Sequence, residues 1–132
     1  MSWGCASAPV PETETAAPDP AGIADFKDRL DAVGIGAPNP ILPSETQRKA
    51  TAREAAMIEA RYELSSAVRF LILHSGITLA EAIGVDPTLE ERVSQAISVA
   101  EISTEFTPDD GCVVRLRLSK RKLAENLGVR FR

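Results

Sequence analysis

The side chains able to do chemistry are few and scattered. The one histidine, His74, stands beside Ser75. Adjacent residues in a turn or strand point apart, so the two make no nucleophile–base pair, and His74 reads as a solvated turn residue. Cys5 and Cys112 lie far apart and share that single histidine, too small a set for a zinc site. Cys112 falls on the inward face of an expected strand, as a small core residue. Asp109-Asp110-Gly111 opens like a calcium loop but lacks the later ligands, so turn chemistry accounts for it. Glu90-Glu91 sit on a helix surface as solubilising charge. Gly34-x-Gly36 resembles the opening of a dinucleotide-binding turn. Pro38 and Pro40 follow, however, and no third glycine comes at the required place. Glycines there would instead let a strand cross closely beneath a helix. The expectation is a non-enzyme, without catalytic residue, cofactor or metal.

Charge is more informative. From Arg115 onward there are seven basic residues (Arg115, Arg117, Lys120, Arg121, Lys122, Arg130 and Arg132) against Glu125 alone. That segment is +6, so residues 1–114 carry −10 of the overall −4. Such a division suits nucleic acid, an anionic membrane, or head-to-tail attraction between copies; it is also what an unpartnered solvated surface can carry. No aromatic residues interleave with the basic ones to stack bases and the net charge is negative, which argues against nucleic acid.

The elements that must position these residues are legible in part. With 132 residues, 44% hydrophobic and 26% charged, the chain has room for one α+β domain with a real core. Only 5% is aromatic, so that core must be aliphatic and alanine-rich. A strand is expected over Phe26–Gly36. Its alternation is imperfect, with Phe26 and Leu30 on one side and Val33 and Ile35 on the other, which points to a bulge or a late start near Leu30. Ser44 with Gln47 forms a capping box. It opens a helix whose stripe is Ala52, Ala56, Ala60, Leu64, Ala67 and Leu71, widened by Met57 and Val68. So many buried alanines imply close approach to a sheet. Residues 68–79 turn β-like around His74-Ser75-Gly76.

A second helix starts at Asp86-Pro87-Thr88, with Leu89, Val93, Ala96, Ile97 and Ala100 inward. A hairpin follows, 102–106 and 112–118 about Thr107-Pro108-Asp109-Asp110-Gly111. Ile102, Thr104, Phe106, Cys112, Val114, Leu116 and Leu118 share its inward face. A five-residue loop sets Glu101 opposite Arg117 and a three-residue loop sets Glu105 opposite Arg115. A short helix begins at Ser119, stapled by Leu118 and Leu123 and stopped by Gly128. The expected order is β-α-β-α-β-β-α, a sheet covered by helices over residues 25–132.

Residues 1–24 read as a flexible Pro/Ala-rich tether. Cys5 to Ala21 lacks periodicity and large apolar residues and cannot bury enough surface to offset the entropy of ordering. A cysteine ahead of such a tether is where bacterial lipoproteins carry their lipid. Gly4, Ala6, Ser7 and Ala8 agree with that reading. Ser2 and Trp3 fit a cleavage box poorly, and no n-region and h-region precede them. Cys5 stands either as a lipidation site or as an ordinary cysteine.

Ala32-Val33-Gly34-Ile35-Gly36-Ala37-Pro38, the alanine-rich helix Ala50–Leu64, and the Asp109-Asp110-Gly111 turn leading into Val113–Leu118, taken in that order, resemble the Lpp-twenty lipoprotein family. The family's module occurs also in the flagellar basal-disk lipoprotein FlgP and in the N-terminal domain of the flagellar assembly protein FlgT. The resemblance covers about Leu30–Leu127. It implies a periplasmic or outer-membrane location in the bacterial cell envelope, lipid on the cysteine before the tether, assembly into rings or disks, and no catalytic residues. The resulting expectation is a structural lipoprotein whose partners are its own copies and other envelope or flagellar proteins. Its membrane contact would run only through a lipid on Cys5, and self-association would involve Arg115, Arg117, Lys120, Arg121, Arg130 and Arg132. The alternative is a monomeric periplasmic adaptor or ligand-binding lipoprotein with a cleft between helix and sheet.

Overall fold

A computed structural model describes residues 22–132. The order is β1 (Gly22–Asp25), β2 (Arg29–Gly36), α1 (Glu45–Arg69), α2 (Leu79–Val85), α3 (Thr88–Ser98), β3 (Glu101–Phe106), β4 (Cys112–Ser119) and α4 (Lys120–Leu127). The strands form one antiparallel sheet in the order β1-β2-β4-β3. The chain is therefore α+β, with the helices of the described residues on one face of the sheet, a division available to antiparallel sheets.

The contact between β2 and α1 organises the layers. Leu30, Ala32, Gly34 and Gly36 point at the helix and are buried. Opposite them α1 presents Ala52, Ala56, Ala60 and Leu64, all fully buried. The two backbones approach so closely that a Cβ on Gly34 would stand 2.0 Å from the Ala56 carbonyl oxygen. One on Gly36 would stand 1.8 Å from that of Ala52. Gly34-x-Gly36 is thus a packing device and no phosphate cradle. Across the sheet β4 supplies Cys112, Val114, Leu116 and Leu118 to the same core, paired with Gly36, Gly34, Ala32 and Leu30.

Local chemistry sets most boundaries. Ser44 Oγ accepts from the Gln47 N–H at 3.4 Å and starts α1. Asp86 accepts from both the N–H and the hydroxyl of Thr88 ahead of α3, whose Leu89, Val93, Ala96 and Ile97 are buried. Ser119 caps α4, and Gly128, at φ 70°, ends it in the left-handed region that favours glycine. The β3–β4 loop has five residues, which sets Glu101 opposite Arg117 and Phe106 opposite Cys112.

Four expectations are corrected. Gly22–Ala24, read with the tether, belong to β1, which pairs with β2 through Ile23–Ala32 and Ala24–Asp31. The stretch from Phe26 is therefore no single strand: Phe26 donates to the Arg29 carbonyl at 2.9 Å across a tight turn, and β2 starts at Arg29, the late start near Leu30 that its broken alternation pointed to. Residues 68–79 contain no strand, because Val68 and Arg69 complete α1 and only the bridges Ile72–Thr78 and Leu73–Phe131 follow. Finally, Thr78 and Glu81 form a reciprocal capping box that opens the short helix α2, where the sequence alone predicts a β-like turn to Leu79 and no helix before Asp86.

Candidate interaction surfaces

The basic residues of the C-terminal segment are divided between two places. Alternation along β4 puts Arg115 and Arg117 on the face of the sheet away from the helices. There Arg117 meets Asp31 through Nε–Oδ1 at 3.3 Å and Nη2–Oδ2 at 3.4 Å. Arg29 comes to the same carboxylate from the other side. Its buried Nε lies 3.4 Å from Asp31 Oδ1, close enough for an ion pair but without hydrogen-bond geometry. Its guanidinium also lies 4.2 Å from the Phe26 ring centre. Lys120 Nζ is held by Asp25 at 2.6 Å. Arg121 reaches Glu125 one turn on, at 3.5 Å and almost wholly in solvent, a pair of little weight. Arg130 and Arg132 belong elsewhere. The Arg130 carbonyl accepts from His74 N–H at 2.7 Å and Arg132 N–H donates to Ile72 at 2.9 Å, which ties residues 130–132 to the 72–78 turn.

Part of the first group borders a cleft of about 460 Å³ at the end of the sheet, between the end of α3 and the first turn of α4. Arg29, Arg117, Arg121 and Lys122 line it, opposed by Asp28 and Glu101, over an alanine floor from Ala96 and Ala100. It is an open, mixed-charge groove with cations in the majority. It lies at the end of the sheet, away from α1, which is tight on β2.

The second surface is the β3 edge. All six residues of β3 are exposed, including Ile102 at 47% and Phe106 at 43%. Sequence reasoning placed both on a buried face. They do point to the helical side, but α1 covers β2 and β4 and stops short of β3. A groove of about 480 Å³ runs between Ile102 and the α1 side chains Arg53, Met57, Ile58 and Arg61. Ile58 and Tyr62 beside it are 63% and 70% exposed. Lys49 Nζ sits 5.6 Å over the Phe106 ring, and Glu45, hydrogen-bonded to that ammonium, raises its pKa. What the sequence conceals is that β4 pairs with β2 on its other side, which leaves β3 at the rim.

The remaining reactive side chains are accounted for locally. His74 is exposed in its turn. Cys112 is fully buried, and burial pushes its thiol above the ordinary range, the opposite of what an activated thiolate needs. Asp109 is held below the usual carboxylate range by the Thr107 hydroxyl and the Gly111 N–H within the hairpin turn. Asp110, at φ 71°, pairs with Arg48 at 3.1 Å. Glu90 is engaged by Arg69. Among the described residues no group of three His, Cys, Asp or Glu side chains could hold a metal ion, and no helix is long and apolar enough to cross a membrane. Cys5 lies outside the described residues. No family model, curated protein or solved structure matches the chain.

Proposed function

We propose that this chain is a non-catalytic structural module of the bacterial cell envelope whose copies assemble with one another, anchored where Cys5 carries lipid. The observation that carries the reading is the β3 edge, which nothing among the described residues covers. A full-length strand without proline or lysine, flanked by exposed Ile102 and Phe106, is what monomeric proteins normally blunt or cover. The resemblance to the Lpp-twenty lipoproteins points the same way and supplies the envelope location. The basic C-terminal segment plays a smaller part than charge alone suggests, because Arg117 and Lys120 already have partners within the domain.

The test is the mass of the purified chain in solution over a wide concentration range, by light scattering with negative-stain images of the same sample. Concentration-dependent growth into a defined species is expected; a monomer at every concentration would dispose of the reading. The cleft beside α4 favours a second reading, a monomeric periplasmic adaptor or ligand-binding lipoprotein. On that reading Arg29, Arg117, Arg121 and Lys122 would receive an anionic group.

A further inference from the structure

The hydrogen-bond parity of the sheet can be followed strand by strand. Thr107 N–H donates to the Gly111 carbonyl at 2.9 Å, which closes the hairpin on a hydrogen-bonded pair. In an antiparallel ladder such pairs alternate with non-bonded ones. Glu105–Val113, Ser103–Arg115 and Glu101–Arg117 are therefore the pairs that exchange backbone bonds. The N–H and C=O groups of Ile102, Thr104 and Phe106 then point away from β4, into the open edge. Carried across to β2, the same parity turns Ile35 N–H away from β4. That is where it is found, donating to Glu59 Oε1 at 2.7 Å beyond the end of β1. At that position α1 supplies a carboxylate to cover an exposed edge donor. Along β3 no such bond from α1 is found among the described residues.

The outward residues of the open edge alternate apolar, polar, apolar about Thr104: Ile102, Thr104 and Phe106. Placed antiparallel to itself with Thr104 on a two-fold axis, β3 sets Thr104 against Thr104 and Ile102 against Phe106 twice. All three outward-facing residues fall in bonding positions. On the other face of the sheet Glu105 then stands directly across from Ser103 of the second copy and Glu101 across from Thr107, with the two Glu105 side chains as diagonal neighbours about 7–8 Å apart. A shift of two residues either way leaves one outward residue without a partner in the strand and breaks the Ile102–Phe106 pairs.

We infer that β3 is a self-complementary docking edge for a second copy of this chain, the two joining in antiparallel register about Thr104 into one eight-stranded sheet. This rests on the assembly reading above and names its first contact. Cross-strand Ile–Phe pairs and completed ladder bonds supply the attraction, and the short β1 edge, ending in Asp25 held by Lys120, stays outside the contact.

The experiment uses the full chain with Cys5→Ser, so that buried Cys112 is the only native thiol. Thr104→Cys places two sulfurs across the axis, with Cα atoms about 5.5 Å apart, inside the range for a disulfide. Ser103→Cys places its Cα atoms roughly 8 Å apart by strand geometry, beyond that range. Mild oxidation is expected to link Thr104→Cys into dimers at least tenfold faster than Ser103→Cys. An equal mixture of Ser103→Cys and Glu105→Cys chains is expected to form the mixed dimer. Thr104→Pro removes an edge donor that faces solvent in the monomer, so its circular dichroism is expected to match the parent while self-association weakens at least tenfold. If the parent chain assembles but Thr104→Pro assembles equally well, or the two single cysteines cross-link alike, the β3 register is wrong and the assembly reading survives. If Thr104→Pro unfolds the domain, the parity assigned to β3 is wrong. A parent chain that stays monomeric throughout removes both.

Discussion

Replacing Gly34 by alanine tests the tightest contact in the molecule. The backbone there is not in the left-handed region, so alanine brings no conformational strain. The whole effect comes from one methyl group. That methyl would lie 2.0 Å from the Ala56 carbonyl oxygen and 2.6 Å from the Ala60 nitrogen. Both are helix backbone, which cannot turn aside as a side chain does. To restore even 3.0 Å, α1 and β2 must separate by about 1 Å, and a gap of that size forfeits roughly a quarter to a half of each dispersion contact along the seam. The seam includes Ala52, Ala56, Ala60 and Leu64, all fully buried, so the cost sits at the upper end of overpacking penalties, about 3 kcal/mol. For a domain of this size that is a fall of about 10–20 °C in Tm. Urea unfolding followed by helical circular dichroism measures it. A second variant sharpens the reasoning: Gly34→Ala with Ala56→Gly keeps the offending carbonyl and is expected to recover none of the loss. A Gly34→Ala chain within about 0.5 kcal/mol of the parent, or a rescue by Ala56→Gly, would refute the account of this interface.

Two further outcomes are expected. Arg48 joins the start of α1 to the hairpin turn, through Asp110 at 3.1 Å and the Leu42 carbonyl at 2.9 Å. With both charged side chains mostly shielded, Arg48→Ala should lower stability by about 1–2 kcal/mol, read as a reduced urea midpoint at unchanged slope; an unmoved midpoint would show the contact to be incidental. Glu81, Asp86 and Asp109 are each held below the usual carboxylate range, by hydrogen bonds from Thr78, from Thr88, and from Thr107 and Gly111 respectively. As pH falls through about 4 the unfolded chain takes up these protons before the folded one does. The stability they confer is therefore full above that range and is lost below it. The triple variant Glu81→Gln, Asp86→Asn, Asp109→Asn should flatten the acid limb of a stability–pH curve, and an unchanged limb would place the titrating groups elsewhere.

The parts of the fold legible in the sequence are those whose signals are local. The hairpin announced itself through Thr107-Pro108-Asp109-Asp110-Gly111, and one of its two expected loop lengths is the one found. The stripes of α1 and α3 and the caps at Ser44, Ser119 and Gly128 lie where spacing put them, except that Leu71 and Ala100 fall just beyond the ends of their helices. β2 was harder because its hydropathy is inverted. Its inward residues are Leu30, Ala32, Gly34 and Gly36, while Val33 and Ile35 look out to the other face, so hydrophobicity marked the wrong side. β1 was hidden because Gly22-Ile23-Ala24-Asp25 continues the composition of the segment before it and acquires meaning only from its pairing. The Thr78-x-x-Glu81 capping box was present in the sequence and would have located α2. The basic residues were legible as a list but not as a surface. Strand alternation, the turn of α4 and the distant acids Asp25 and Asp31 distribute them. The exposed β3 edge depended on strand order, which no local pattern encodes.

That strand order also governs how the chain reaches its fold. The central pair β2–β4 joins residues 76 to 90 positions apart, so the middle of the sheet closes only after both ends of the domain have met. The β1–β2 and β3–β4 hairpins and α1 can form from local interactions, but α1 has only β1 and β2 to rest on until β4 arrives. Loop closure of this length must come before its contacts return anything, which slows folding relative to proteins built from neighbouring elements. During synthesis β1, β2 and α1 emerge long before β4. Through that interval β2 has an unsatisfied edge of its own, and the part of α1 that packs on β4 stays wet. The same long-range pair that leaves β3 at the rim of the finished sheet therefore keeps β2 waiting in the unfinished one.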